Sequence, residues 1–255
     1  MKCSVTVLCS GSSGNSVHIR LGDTSVLIDV GISCKMTEKR MNDFGIDPES
    51  VNAVFLTHEH TDHTRGAKRY CSKFGTPLYA TKGTLSLTPL GSIEKTAIKS
   101  SDVVRIDGVT MKSFPIKHFA AEPVAFSLAA EKVKVGMASD LGCVTKEVVD
   151  HLKSSNLLLV EANYDDRMLM SGTYPEFLKK TIRSDHGHLS NDDAAALCSS
   201  AATARTERIV LLHLSRENNT PAMAEEAVNG RLQHDGVEAR LDVTEHGSSK
   251  GPIRL

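Results

Sequence analysis

The sequence predicts an α/β fold, or a layered α+β sandwich, on two observations. Short strand-like apolar runs alternate with helical ones from end to end, and no period of the length expected for structural repeats occurs. The chain also reads as two similar halves, each with strands and outer helices, and no linker-like stretch divides them. With 255 residues, 40% of them hydrophobic, one large domain over 1–255 is expected.

In the first half SVTVL, SVHIRL and SVLIDV are strands. The segment CKMTEKRMNDFG is a helix, closed by Gly45 and Pro48, and VNAVFLT is the next strand. DVVRI, VTMKSFPI, VAFSLAA and VKVGMAS form an all-strand block at hairpin spacing. The second half returns to the mixture: TKEVVDHLK is helical, NLLLVEA is a buried strand, NDDAAALCSSAAT is helical and RIVLLHLS is a second buried strand. A helix from about Pro221 to Leu232 and a last strand, VEARLDV, complete the chain.

Charged residues make up 24% of the chain and cancel to a net charge of -1. No global basic field marks a nucleic-acid binder, so a polyanionic substrate must be held by a local patch. The cysteines at 3, 9, 34, 71, 143 and 198 include no CxxC pair, which disfavours a zinc ribbon or redox motif and favours reduced, buried thiols. The segment MKCSVTVLCSGSSGNS is too short in apolar residues for a signal-peptide core, and Leu8 is too large to precede a lipoprotein Cys9. No run approaches the roughly 18–20 apolar residues of a membrane span, so a cytoplasmic protein without membrane association is expected.

The segment HEHTDHTRG follows the strand AVFLT. His58 and His60 are spaced by two, which in an extended chain puts both imidazoles on one face, about 6 to 7 Å apart. Asp62 and His63 are adjacent; at the first turn of a helix they diverge around a second ion. Four ligand-type residues in six positions favour a metal site over a solvated loop. His118 follows KSFPI, Asp140 follows KVGMAS and His213 ends RIVLL. Each alone reads as a hydrogen-bonded structural residue. Together with the first cluster they supply five histidines and two aspartates, the inventory for two divalent ions roughly 3.5 to 4 Å apart. Nitrogen and oxygen donors without cysteine suit zinc, manganese or iron.

This pattern resembles the metallo-β-lactamase superfamily, whose HxHxDH signature stands here as His58, Glu59, His60, Thr61, Asp62 and His63. The resemblance covers essentially the whole chain and implies the four-layer αβ/βα sandwich. It also implies that His58, His60 and His118 hold one metal, that Asp62, His63 and His213 hold the other, and that Asp140 bridges them. Outside that set, Glu161 in EANYD, His188 in GHLSNDDAA and His213 in HLSREN follow in an order similar to the superfamily's phosphodiesterase branch, which includes tRNA 3′-end processing enzymes and nucleases of RNA and DNA ends. There the carboxylate orients the middle histidine, which gives a proton to the leaving oxygen. An alkoxide leaving phosphorus gains typically ~10²–10⁴-fold from such an acid, whereas a thiolate leaves easily without one.

Only 21 residues separate His118 from Asp140, and 26 separate Glu161 from His188. Neither a protruding tRNA-binding arm nor a β-CASP clamp domain is therefore expected. CSGSSGNS, ASDLG, GHLSN and HLSRENN closely resemble segments of the bacterial YycJ/WalJ family, described as 5′-to-3′ exonucleases on double-stranded DNA. The mechanism this implies has a hydroxide bridging the two ions attack phosphorus. Asp62 orients it and takes up its proton, and His188, held by Glu161, protonates the departing oxygen.

Other residues are open to two readings. The turn from Ser10 to Ser16, with Ser13 and Asn15, is either a phosphate cradle or a plain hairpin turn. Arg216 and Asn218 are either phosphate contacts or part of a solvated loop, and the basic residues of TRGAKRYCSK read as helix surface. In SDHGHLSND, His186 has no assigned chemistry beside His188 and reads as a surface histidine. His18, His151, His234 and His246 read as structural or exposed. Two other function classes compete: a small-molecule hydrolase of thioesters, lactones or cyclic phosphodiesters, favoured by the neutral net charge, and a non-catalytic module that keeps metals for stability. Glu161 and His188 argue against the latter, because a structural site needs no acid aimed at a leaving group.

Overall fold

A computed structural model describes residues 3–255. The first half comprises β1 (Cys3–Cys9), β2 (Ser16–Leu21), β3 (Thr24–Ile28), α1 (Cys34–Asp43), β4 (Ala53–Phe55), α2 (Thr61–Thr64), α3 (Ala67–Phe74), β5 (Leu78–Thr81), α4 (Lys82–Leu87) and β6 (Lys95–Ile98). An all-strand block follows: β7 (Val103–Ile106), β8 (Val109–Pro115), β9 (Val124–Ala130) and β10 (Val133–Ala138). Then come α5 (Lys146–Leu152), β11 (Leu157–Glu161), α6 (Asp166–Ser171), α7 (Glu176–Ile182), α8 (Asn191–Ala201) and β12 (Arg208–Leu212). The chain closes with α9 (Pro221–His234), β13 (Arg240–Val243) and β14 (Lys250–Arg254).

The strands form two seven-stranded sheets, ordered β14-β1-β2-β3-β4-β5-β6 and β13-β12-β11-β10-β9-β8-β7. Each sheet is half antiparallel meander and half parallel. β1, β2 and β3 pair antiparallel and β3 through β6 pair parallel. β7 through β10 pair antiparallel and β10 through β13 pair parallel.

Side-chain alternation explains the layering. In β11, Leu157 and Leu159 face the middle layer with Val5, Phe55 and Met137, while Leu158 and Val160 pack outward with Leu152, Leu197 and Val228 from α5, α8 and α9. Both faces are buried, which is why these strands read as unbroken apolar runs. On the outer face of the first sheet, Leu27, Val54 and Leu56 meet Met41 of α1 and Tyr70 of α3. The result is the four-layer αβ/βα sandwich. Phe55 and Phe126 meet edge to face across the two sheets at 5.5 Å, close to where the ligand-type residues emerge.

The last strand differs from the expectation. Only Arg240–Val243 of VEARLDV is strand, and β14 then returns to the first sheet and pairs antiparallel with β1. Gly251 and Pro252 make that segment read as loop, but β14 is an edge strand, where a proline without an N–H is tolerated. β5, β6, α4, α6 and α7 are short elements that the sequence pattern did not expose.

Candidate metal centre

In the second sheet β8, β10, β11 and β12 run the same way, so their carboxyl ends share one edge. That edge delivers His118, Asp140, Glu161 and His213. In the first sheet the parallel strands β3 and β4 deliver Asp29 and His58. His60, Asp62 and His63 come from the loop after β4 and from α2, which begins at Thr61. His58, His63, His118, Asp140, Glu161 and His213 are buried. Three sets of side chains bring their ligand atoms within 4.8 Å of one another: His58, His60 and His118; His58, His63 and Asp140; and Asp140, His188 and His213.

Hydrogen bonds behind the imidazoles decide which nitrogen each presents. Thr57 gives its N–H to Asp29 Oδ1 at 2.8 Å and its hydroxyl to Asp29 Oδ2 at 2.9 Å. The Thr57 oxygen is thereby left to accept from His58 Nδ1 at 3.0 Å, so His58 Nε2 carries a lone pair. His63 Nδ1 donates to Asp29 Oδ2 at 2.8 Å, and its Nε2 lies 3.2 Å from Asp140 Oδ2. His118 Nδ1 donates to the Gly187 carbonyl at 3.1 Å, with Nε2 3.8 Å from Asp140 Oδ1. His60 Nε2 donates to the Phe119 carbonyl at 3.0 Å, which leaves Nδ1 facing His58 Nε2, also at 3.0 Å. Two lone pairs facing each other at that distance repel unless a cation lies between them. The donor set therefore fits divalent metal, with Asp140 central to it.

The electrostatics agree. Burial lowers His58 well below the ordinary imidazole value and lowers His118, which keeps both neutral, the form that can bind a metal. Burial also opposes charge on His63 and His213, but the surrounding carboxylates together outweigh it, Asp140 and Asp29 at His63 and Asp140, Glu161 and Asp62 at His213; His63 is held well above its ordinary value and His213 is raised to about 9. Asp140, although buried, is held well below the usual carboxylate range by His213 and His63. This pocket favours positive charge.

The backbone is strained where the ligands leave the sheets. Asp29, Asp140 and His213 have φ of 61°, 57° and 56°, a left-handed conformation that costs about 1–3 kcal/mol per non-glycine residue. Gly31 permits another close approach: a Cβ there would lie 1.6 Å from the Asp62 carbonyl oxygen. His213 is further fixed by its N–H donating to Ser10 Oγ at 2.7 Å and its carbonyl accepting from Asn163 Nδ2 at 2.8 Å.

Beside the cluster, Glu161 accepts from His188 Nδ1 at 2.6 Å and, through its other oxygen, from the Leu141 N–H at 2.7 Å. Glu161 is fully buried, whereas the His188 side chain is 22% exposed and lines the cleft with Asp62, Asp140 and His213. His188 Nδ1 also lies 3.9 Å from Asp140 Oδ1, but its proton is committed to Glu161, which removes that nitrogen's lone pair from metal binding. Burial depresses the His188 pKa, but the Glu161 and Asp140 carboxylates together raise it more, so it stands above the ordinary imidazole value.

Asp29 is the residue that the sequence reading missed. Its signal, an aspartate near the end of the buried run SVLIDV, looks like an ordinary strand end until Thr57 and His63 are seen to converge on it. Among the residues of the first turn, Ser12 lines the cleft. Ser13 is exposed and its carbonyl accepts from Arg65 at 3.2 Å. Asn15 is buried, with Nδ2 3.2 Å from Asp62 Oδ2 and 3.0 Å from His63 Nε2, so it braces the cluster from within. Arg216 is exposed, and Asn218 is buried, its carbonyl accepting from the Asp165 N–H. His18 and His246 are held by Ser25 and the Leu214 carbonyl, away from the cleft.

Residues 24–214 match the family model described as a Beta-lactamase superfamily domain. The exodeoxyribonuclease YycJ of Bacillus anthracis is 32% identical over 236 residues, covering 91% of this chain and 89% of that one. The exodeoxyribonuclease WalJ of Streptococcus pneumoniae is 30% identical over 251 residues, covering 96% and 93%. Among solved structures, the metallo-beta-lactamase fold protein YhfI of Bacillus subtilis aligns over 98% of both chains with a TM-score of 0.74 at 16% identity, which speaks to the fold alone. The converging strand ends, the histidine and aspartate cluster and these matches together show that the chain belongs to the metallo-β-lactamase superfamily of metallo-hydrolases and is a relative of the YycJ/WalJ proteins.

Proposed function

We propose that the chain is a metal-dependent phosphodiesterase that degrades double-stranded DNA 5′ to 3′ in the cytoplasm, from a single domain with neither a β-CASP clamp nor a tRNA-binding arm. The observation that carries this reading is the buried Glu161 carboxylate, 2.6 Å from His188 at the rim of the metal cluster. A histidine held as a proton donor beside the ions suits a poor alkoxide leaving group on phosphorus. The names of the two relatives, both exodeoxyribonucleases, support it.

Two divalent ions, zinc or manganese with iron as a further option, would be held by His58, His60 and His118 on one side and by Asp62, His63 and His213 on the other, with Asp140 available to both. When bound, they neutralise the non-bridging phosphate oxygens and make water acidic enough to attack. Asp62, whose side chain is 23% exposed in the cleft, orients that water and takes its proton. His188 delivers a proton to the departing oxygen, and Glu161 fixes the ring so that Nδ1 stays committed and Nε2 is free to act. Asn15 steadies Asp62.

The test is a digestion of end-labelled duplex DNA bearing a 5′-phosphate, beside RNA of the same sequence, with zinc or manganese. Loss of nucleotides from the 5′ end of DNA, stopped by chelator and slowed by salt because phosphate contacts are ionic, is the expected result. Intact DNA together with turnover of a glutathione thioester would replace the proposal with the small-molecule hydrolase.

A further inference from the structure

Phe119 directly follows the cluster residue His118, yet 55% of it is exposed to solvent. Its position, not its exposure alone, marks it: Leu87, 61% exposed, lines an outer cleft with it, so two open apolar side chains share one groove beside the metal cluster. Phe119 packs against His186, also exposed, with ring centroids 5.5 Å apart and an interplanar angle of 39°. His118 and Phe119 line both the metal cleft, with Asp140 and His188, and a second, shallower cleft of about 510 Å³ that also holds His186, Leu87 and Ala121. Phe119 is thus the ridge between the two spaces.

The ridge is bolted to the metal cluster. The Phe119 carbonyl accepts from His60 Nε2 at 3.0 Å, and its N–H donates to the His186 carbonyl at 3.1 Å. Glu59, between the two ligand histidines, accepts from the Ala121 N–H at 2.8 Å. The segment carrying His186 is fixed from beneath, since a Cβ on Gly142 would lie 2.4 Å from His186 Cα, and the neighbouring Gly187 carbonyl accepts from His118. Exposed on its face and rigid at its base, an aromatic pair of this kind has the properties of a stacking surface.

Resting on the phosphodiesterase reading, we propose that Phe119 and His186 form a stacking platform for the nucleobase flanking the scissile phosphate, with the phosphate in the metal cleft and the base in the outer one. Stacking works for every base, so the platform positions the substrate by the presence of a base and not by its identity. It gives the exposed His186 a role distinct from that of His188, two residues on.

The test crosses protein and substrate. Wild type, Phe119→Ala, Phe119→Trp and His186→Ala are compared as full-length, metal-loaded chains on end-labelled duplex DNA. The substrates carry either a normal nucleotide or an abasic site on the 5′ or 3′ side of the first scissile phosphate, and metal content per chain is measured in parallel. Wild type should lose roughly 5- to 150-fold in kcat/KM on one of the two abasic substrates, the range expected for one stacked base. Phe119→Ala should show a similar loss on normal DNA, chiefly through KM, and almost no further loss on the abasic substrate. His186→Ala should lose part of it, and Phe119→Trp should restore discrimination. If Phe119→Ala still discriminates fully against the abasic site, or loses equally on both substrates with reduced metal, Phe119 acts only by shaping the metal loop and the platform is refuted. If wild type leaves all DNA intact, the phosphodiesterase reading fails first and the platform with it.

Discussion

Replacing Glu161 with glutamine keeps the shape of a buried side chain and removes its charge. In the native protein one oxygen accepts from His188 Nδ1 at 2.6 Å and the other from the Leu141 N–H at 2.7 Å. A glutamine has a single accepting oxygen, so one of these donors must face an NH₂ group. A hydrogen bond to a charged partner contributes about 1.5–3 kcal/mol, equivalent to roughly 10- to 150-fold in rate if all of it is expressed in the transition state. Complete loss of the acid in His188→Ala sets the larger bound, about 10²–10⁴-fold.

The pH profile adds a second readout for Glu161→Gln. Burial lowers the His188 pKa, but Glu161, with Asp140 adding to it, more than offsets that and holds the ring above its ordinary value. Activity that needs the protonated ring is retained at low pH and lost as pH rises through that raised pKa. Removing the Glu161 charge therefore moves the basic limb of the kcat profile to lower pH. The assay is end-labelled duplex digestion across pH, with an activated aryl phosphodiester in parallel, because a phenolate leaves without help from an acid. An unmoved basic limb, or an equal loss on the aryl substrate with metal content intact, would refute the proton-donor assignment.

Two further outcomes follow from groups away from the acid. Burial, reinforced by Arg20, pushes His18 down to about 4, so the folded state keeps it neutral while the unfolded chain protonates near 6.5. Its contribution is full above the unfolded value and is lost as pH falls through the folded one, about 3 kcal/mol across that window. Denaturant titrations at pH 7 and pH 4.5 should show a smaller fall for His18→Gln than for wild type, and equal falls would remove His18 as the cause. Metal removal should lower the melting temperature as well as abolish activity. Occupancy at a hundredfold excess over Kd adds about 2.7 kcal/mol, roughly 5–10 °C for a chain of this size; an unchanged melting temperature after chelation, with metal loss verified, would contradict the assignment of the cluster.

How much of this was legible in the sequence depended on how local each signal was. His58, His60, Asp62 and His63 stand within six positions, so their chemistry shows without a fold. His118, Asp140 and His213 show only as polar residues at the ends of apolar runs, and the shared edge of the second sheet is what gathers them. Asp29 acts through Thr57 and His63, at 28 and 34 residues' separation, and no local pattern reports that convergence. β6 escaped notice because three of its four residues, Lys95 to Ala97, are exposed and leave no apolar alternation to read. Phe119 escaped for the opposite reason. An apolar residue is expected inside, and only the tertiary structure shows this ring turned out beside His118 of the candidate metal cluster.

The order in which the cluster residues occur along the chain has a consequence for biosynthesis. His58 leaves the ribosome 155 residues before His213, and the first sheet gains its edge strand only when Ile253 of β14 reaches Val5 of β1. A nascent chain halted before residue 213 lacks a member of the cluster and the strand that carries it, however well its first half has folded. The cluster therefore comes together only when the strand ends of both sheets are present, and a fragment that stops before residue 213 holds the HEHTDH residues without the complete set.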